Sequence, residues 1–421
     1  MKLAIDIYKI QQKFQTSNLH ELKILLNYSC SNYEEAIQIM KKKLSMLTVA
    51  VAATFGLVAC GTSENNDSTK VKVGMMTDSG TIDDKSFNQG TWNGIKRYES
   101  EKGTIVSQYI QPTGTSTQDY LEAANNLIAA GNEMIVAPGF KFEEAIGQLQ
   151  SENPDLKFVI IDGQPIVGYE GTGDNKIAIY EEAENTVSIY FAEQEAGFLA
   201  GVAAALETKT GKVGFIGGMI LPAVQKFGYG FVMGVAYANE KLGTTVEVAD
   251  YLYNGTFDDV AGGQAQAGGM YDKGIDVIFV AAGGVGNGVI SEAKQRAEAG
   301  EEVYVIGVDV DQYDEGIISD GSSVILTSAI KRIDNAAYDK IDELVNDKFV
   351  GGQVITMNAK NDGVGLPEEN PNLSEETQKE VDNAFALIKG ETLVIPTELS
   401  DVEKMLEELN FDASHLNLEG K

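Results

Sequence analysis

The chain of 421 residues has two cysteines, two histidines, one tryptophan and eight prolines. The cysteines are Cys30 and Cys60 and the histidines are His20 and His415, so nothing of either kind lies between residues 61 and 414. That body can hold no disulfide, no thiolate metal site and no cysteine nucleophile, and no histidine can serve there as a general base. Carboxylate chemistry remains open. Positive charge is also short: 32 Lys and Arg stand against 63 Asp and Glu, a net charge of −31. Such a surface repels nucleic-acid phosphates, and no nucleic-acid partner is expected. Proline is scarce while glycine reaches 45 residues, which favours glycine-turned α/β architecture over a disordered chain. The length exceeds what one core usually organises, so two lobes are expected.

The front end reads as an address. In "MKKKLSMLTVAVAATFGLVAC" (residues 40–60) three lysines precede an apolar run from Leu44 to Val58 that is short for a membrane span. The run ends in "LVAC", which looks like the lipobox of bacterial lipoproteins, whose cysteine is lipidated and becomes the mature N-terminus. The predicted organisation is therefore an upstream extension from an early start codon (1–39), a lipoprotein signal peptide (40–59) and a polar tether (60–70) that begins at a lipid-bearing Cys60. Stable anchoring needs at least two acyl chains.

From residue 70 on, short β-branched runs alternate with glycine- or Asp-bearing turns and amphipathic helices: "KVKVGMMTDSG", "EMIVAPG", "KFVIIDG", "GKVGFIGG", "TTVEVADYL", "IDVIFVAAGG" and "VYVIGVDVD". Helices are expected between them, among them Gln118–Ala130, Thr186–Leu206, Val224–Lys241 and Asn287–Glu298. The strands carry few polar residues, as strands buried on both faces do. The fold class is thus α/β, with two doubly wound parallel-sheet lobes joined by a hinge. Lobe 1 is expected from 71–180 and 324–350, lobe 2 from 181–323 and 351–396, with 397–421 as an acidic tail. Ligands in such sheets bind beyond the carboxyl ends of the strands, which draws attention to Asp78, Asp162, Gly283, Gly284 and Asp309.

Two motifs fail. "AAGGVGNGVI" (281–290) follows a strand, but Val289 stands where a dinucleotide fingerprint needs its third glycine. "DVDQYDEG" (309–316) has Tyr313 at the fifth position of a calcium loop and Asp314 in place of its glycine. No cofactor and no metal are expected.

"GMMTDSGTIDDKSFNQGTWNG" after a lipobox, followed by "FVIID", "GFIGGM", "GFVMGV", "DVIFVAAGG", "VIGVDVD" and "TSAIKR", resembles the basic membrane protein family, and more narrowly its purine nucleoside receptor lipoproteins. The resemblance covers roughly residues 70 to 396. It implies a type I periplasmic-binding fold and a monomeric, non-enzymatic receptor, lipid-anchored on the extracytoplasmic face of the cell membrane. Such a receptor would deliver inosine, guanosine or adenosine to an ABC importer's permease. Residue by residue it implies that Asp78 holds ribose hydroxyls, that Phe87 and Phe257 stack on the two faces of the base, that Asn88 and Asp162 meet base polar atoms, and that Gly284, Asp309 and Lys331 complete the ribose side. The residue types suit that cargo: carboxylates accept from sugar hydroxyls and rings stack on flat bases.

Plainer readings exist for the same positions. Phe87 can pack as a hydrophobic staple against Thr91 and Ile95, Phe257 can be core, Asp162 and Asp309 can cap helices, and Lys331 can be solvated. Trp92, with Ile95 and Tyr98 at helical spacing, reads as core. A carboxylate-dependent nucleoside hydrolase and a surface sensor or adhesin sharing the fold are the competing functions.

Overall fold

The computed structural model describes residues 70–173 and 176–420. The upstream extension, the signal peptide, Cys60 and all of the tether except Lys70 lie outside the described residues. In chain order the elements begin with β1 (Val71–Met76), α1 (Phe87–Lys102), β2 (Ile105–Ile110), α2 (Thr117–Ala129), β3 (Met134–Pro138), α3 (Glu143–Glu152) and β4 (Lys157–Ile161). A hairpin follows, β5 (Ile166–Glu170) and β6 (Ile177–Tyr180), then β7 (Thr186–Phe191), α4 (Glu193–Glu207), β8 (Lys212–Gly217), α5 (Pro222–Tyr237) and β9 (Glu247–Tyr253). The rest is α6 (Val260–Asp272), β10 (Val277–Ala281), α7 (Gly284–Glu298), β11 (Tyr304–Asp309), β12 (Ile325–Lys331), α8 (Ile333–Val345), β13 (Gln353–Met357), β14 (Val364–Gly365), α9 (Glu375–Lys389) and α10 (Leu399–Glu408).

Two six-stranded sheets carry the lobes, in the orders β13-β7-β4-β3-β1-β2 and β14-β12-β11-β10-β8-β9. Every pairing in them is parallel except β12 with β14. The central strands are apolar on both faces because helices cover both faces: Met134–Pro138 and Val277–Ala281 are buried throughout. The winding direction reverses between β1 and β3 in the first sheet and between β8 and β10 in the second. Each reversal opens a crevice beyond the strand ends.

Helices α4 and α5 pack unusually close. A Cβ on Gly197 or Gly201 would meet the carbonyl oxygens of Phe227 and Phe231 at 2.3 and 2.1 Å, and one on Gly230 or Gly234 would meet those of Gln194 and Phe198 at 2.2 and 2.1 Å. The two glycine pairs, each four residues apart, let the helix backbones touch.

Three expectations are corrected. Thr186–Leu206 is not one helix: Thr186–Phe191 is strand β7, and only from Glu193 is the chain helical. The alternation of Thr, Val, Ser, Ile, Tyr and Phe suits a pleated strand, and the helix-forming Ala and Leu begin after it. The lobe boundaries move accordingly. β7 belongs to the first sheet, β12 to the second and β13 to the edge of the first, whereas 181–323 and 351–396 were assigned to lobe 2 and 324–350 to lobe 1. The chain crosses between lobes after β7, after β12 and after β13, and strand partners across such crossings are not local in sequence. The acidic stretch 397–420 is packed on the body and is not a tail. Helix α10 docks on α5 with Val402 and Leu406 buried, and Leu409 and Leu418 continue the contact.

Candidate ligand-binding site

The loop 78–86 and the first turn of α1 build one wall. Asp84 is the true cap of that helix: its carboxylate accepts from the backbone N–H groups of Ser86, Asn88 and Gln89 at 3.0, 2.8 and 3.0 Å. Ser86, at the cap position, is thereby released, and its hydroxyl donates across the cleft to Asp309 Oδ2. Asn88 is 2% exposed and clamps the loop. Its Nδ2 donates to Asp78 Oδ1 and to Asp84 Oδ2, both at 2.9 Å, and its Oδ1 accepts from the Asp78 N–H at 3.2 Å. Both of its amide hydrogens are spent on carboxylates, so Asn88 positions Asp78 and has no donor left over.

Beyond the ends of β1, β3, β4, β8, β10, β11 and β12 lies a cavity with an empty space of about 670 Å³, part of it open to solvent. Asp78, Phe87, Asn88, Asp162, Phe257, Gly284, Asp309 and Lys331 all line it. Phe87 comes from lobe 1 and Phe257 from the loop after β9 in lobe 2, and both rings are half-buried. Phe257 packs close against the Gly218 backbone: a Cβ on Gly218 would sit 2.4 Å from its ring.

Four acids line the cavity; Asp84 is spent on the helix cap and on Asn88, and each of the other three has one oxygen committed to the protein. Asp78 Oδ1 accepts from the Gly80 N–H at 2.8 Å as well as from Asn88. Asp309 Oδ2 accepts from Ser86. Asp162 Oδ2 is held by the Lys331 ammonium, and Asp162 Oδ1 is buried with no hydrogen-bond partner among the described residues. Asp162 and Asp309 adopt left-handed backbone conformations, with φ of 56° and 67°. For a residue with a Cβ this stores of the order of 1–3 kcal/mol, the kind of strain that gathers at functional sites.

Lys331 is 2% exposed and not solvated. It pairs with Asp162 and, at 3.1 Å, with Glu193, and its Nζ lies 5.0 Å from the Phe87 ring and 5.1 Å from the Phe191 ring. Lys226 reaches Glu193 from the other side at 3.4 Å. Burial lifts the Asp162 carboxyl to about 6, against the pull of Lys331, and burial also raises Asp78 and Asp309. Burial alone would lower Lys331, but Asp162, Glu193 and Asp309 together outweigh it and hold the lysine above its ordinary value. The two trends agree: Lys331 has three carboxylates close by and is over-compensated, while Asp162 and Asp309 must share it with each other and with Glu193, which Lys226 also reaches.

Attention to acids and glycines after strands left out the apolar part of the cavity. Phe140 follows β3, Leu221 follows β8, and Val224 and Phe227 lie on the first turns of α5. The same strand-end rule, applied to "VAPGF" and "FIGGMILPAV", reaches Phe140 and Leu221. Trp92 meets Tyr109 edge-on at 5.3 Å and lies outside the cavity lining.

Residues 71–398 match the family described as ABC transporter substrate-binding protein PnrA-like. The CD4+ T-cell-stimulating antigen of Listeria innocua serovar 6a is 35% identical over 376 residues, covering 85% of this chain and 99% of the relative. The ABC transporter nucleoside-binding protein BmpA of Lactococcus lactis subsp. cremoris is 35% identical over 349 residues, covering 79% of this chain and 93% of the relative. Among solved structures, an ABC transporter solute-binding protein from Aeropyrum pernix K1 superimposes with a TM-score of 0.66 at 26% identity, over 81% of this chain and 97% of that one. A transcriptional activator of the comK gene from Bacillus halodurans shares the fold, with a TM-score of 0.59 at 22% identity, over 76% of this chain and 97% of that one.

Proposed function

The chain belongs to the PnrA-like family of ABC transporter substrate-binding proteins, and from that premise we propose that it captures purine nucleosides between its lobes and hands them to a membrane permease. The family and the fold are those of non-catalytic solute-binding proteins, which sets the hydrolase reading aside. The protein is extracytoplasmic and membrane-associated, in keeping with its family. Its hold on the membrane, in this reading, is lipid on Cys60, and it works as a monomer.

The observation that carries the cargo is the orphaned Asp162 Oδ1 in a cavity edged by two phenyl rings. A buried carboxylate oxygen without a partner costs free energy unless a donor arrives with the ligand. A purine brings one on its edge, N1–H in inosine and guanosine or the amino group in adenosine, and its flat faces suit Phe87 and Phe257. The uncommitted oxygens of Asp78 and Asp309 then accept from ribose hydroxyls, which are donors in adjacent pairs. Ligand contacts drawn from both lobes favour the closed state. The relative from Lactococcus lactis carries "nucleoside-binding" in its name, which agrees with this cargo.

Calorimetry on residues 67–421, the compact unit that holds both lobes, tests the reading with inosine, guanosine, adenosine, cytidine and ribose. Purine nucleosides should bind, with cytidine and ribose far weaker. At about 100 times Kd the ligand should add about 2.7 kcal/mol of stability. Binding of a sugar or peptide with no response to any nucleoside would reject the proposal. Chromatography of the recovered ligand should return intact nucleoside.

A further inference from the structure

The hairpin β5–β6 stands outside both six-stranded sheets. One of its faces turns to α3, although Tyr169 and Tyr180 on it keep 40% and 47% of their surface exposed. Gly147 of α3 comes so close that a Cβ there would lie 1.9 Å from the Ile166 carbonyl oxygen, and the Tyr169 hydroxyl donates to Glu144. The other face is bare. Gly168 pairs with Ile179 and Glu170 with Ile177, and directly opposed residues of an antiparallel pair share a face. Ile177 is 69% exposed, Ile179 38%, and Val167, at the irregularity in the pairing, 43%. A two-stranded ribbon is marginal on its own, so Ile177 and Ile179 held in water on one face, with Val167 exposed at the irregularity beside them, mark a surface with a partner.

The surroundings say which partner. Glu170 lies directly opposite Ile177 on this face, and Glu181 and Glu184, just after β6, are exposed as well. Lys176, next to Ile177 in the chain, has its Nζ 4.4 Å from the Tyr169 ring. An acidic frame is repelled by anionic lipid headgroups. It also disfavours a second copy of this chain, which would set the same acids against each other. A protein surface with an apolar centre and a basic rim fits both parts. Position adds a third consideration. β5 starts four residues after Asp162, so the root of the hairpin is tied to the carboxylate that Lys331 of the other lobe grips.

We propose that the outer face of the β5–β6 hairpin is the lip by which lobe 1 docks on the extracytoplasmic side of its ABC permease, against a surface that carries Lys or Arg around an apolar patch. The proposal rests on the substrate-binding reading above. It makes Val167, Ile177 and Ile179 docking residues that take no part in holding the ligand.

The test uses the full lipid-anchored chain in cells lacking their own copy. Ile177→Glu combined with Ile179→Glu should leave the inosine Kd within twofold of wild type and the melting temperature unchanged, while uptake of labelled inosine falls at least tenfold. Val167→Lys, a single exposed change, should give the same split and guards against a misfolded double variant. A photo-crosslinking residue in place of Ile177 should capture the permease whatever the cargo. Wild-type uptake with both variants, or no permease adduct, overturns the proposal. So does intact uptake accompanied by a loss of self-association on light scattering, which assigns the face to a second copy, or by a loss of sedimentation with phosphatidylglycerol vesicles, which assigns it to lipid. A wild-type protein that binds no nucleoside refutes the cargo alone, and the crosslink still decides the docking.

Discussion

Asp162→Asn should make the empty protein more stable and the receptor worse. Burial carries this carboxyl from 3.8 to about 6. At about 1.4 kcal/mol per tenfold step in acidity, the ionised side chain weakens the folded state by about 3 kcal/mol. The folded value is the higher one, so this penalty is complete above about pH 6 and fades as the pH falls towards 3.8. Asparagine keeps the shape and drops the charge. In urea titrations of the ligand-free protein, the variant should gain up to about 3 kcal/mol at pH 7.5, with the gain shrinking towards pH 4. Lys331 keeps Glu193 at 3.1 Å and therefore is not left alone. Calorimetry at pH 7.5 should move the other way. A hydrogen bond to a charged group contributes about 1.5–3 kcal/mol, so inosine affinity should fall roughly 10- to 150-fold. A loss of about 3–5 kcal/mol at pH 7.5 would refute the reasoning, because that is the signature of a broken buried ion pair. Unchanged affinity would refute it too.

Phe87→Ala should weaken purine nucleosides by about 1–3 kcal/mol on calorimetry and leave the melting temperature nearly unchanged; a large loss of stability with unchanged affinity would make the ring a helix staple. Gly218→Ala places a methyl 2.4 Å from the Phe257 ring and should cost at least about 1 kcal/mol in nucleoside binding with little effect on the weak binding of ribose. Cys60→Ala should move the protein from the membrane pellet to the soluble fraction and leave its nucleoside affinity intact.

The cadence of strands was legible because parallel strands covered on both faces leave short, nearly unbroken β-branched runs, and the turns after them carry Gly or Asp. That same placement put Asp78, Asp162, Gly283, Gly284 and Asp309 in view, the family resemblance added Phe87, Asn88, Phe257 and Lys331, and all of them line one cavity. Pairing across lobes was not legible. Nothing local in "VILTSAIK" or "QVITM" says that β12 joins the second sheet and β13 the first. The left-handed turns at Asp162 and Asp309 were hidden for a similar reason, since Asp is common in ordinary turns as well. Asn88 looked free to meet a base because the carboxylates that saturate it, Asp78 and Asp84, reach it only once the loop has folded back. The docking of α10 was readable in principle: Val402, Leu406 and Leu409 fall at helical spacing within an acidic stretch.

The crossings between lobes bear on how the chain is made. Strand β13, at 353–357, completes a sheet whose previous member, β7, ends at Phe191. Neither lobe is a continuous piece of sequence, so neither can finish while the later part of the chain is missing. Contacts so far apart in sequence form late and slowly. For a protein whose place is outside the cytoplasm, that delay is an asset: a nascent chain that cannot close its first sheet before residue 353 stays threadable until it has been exported.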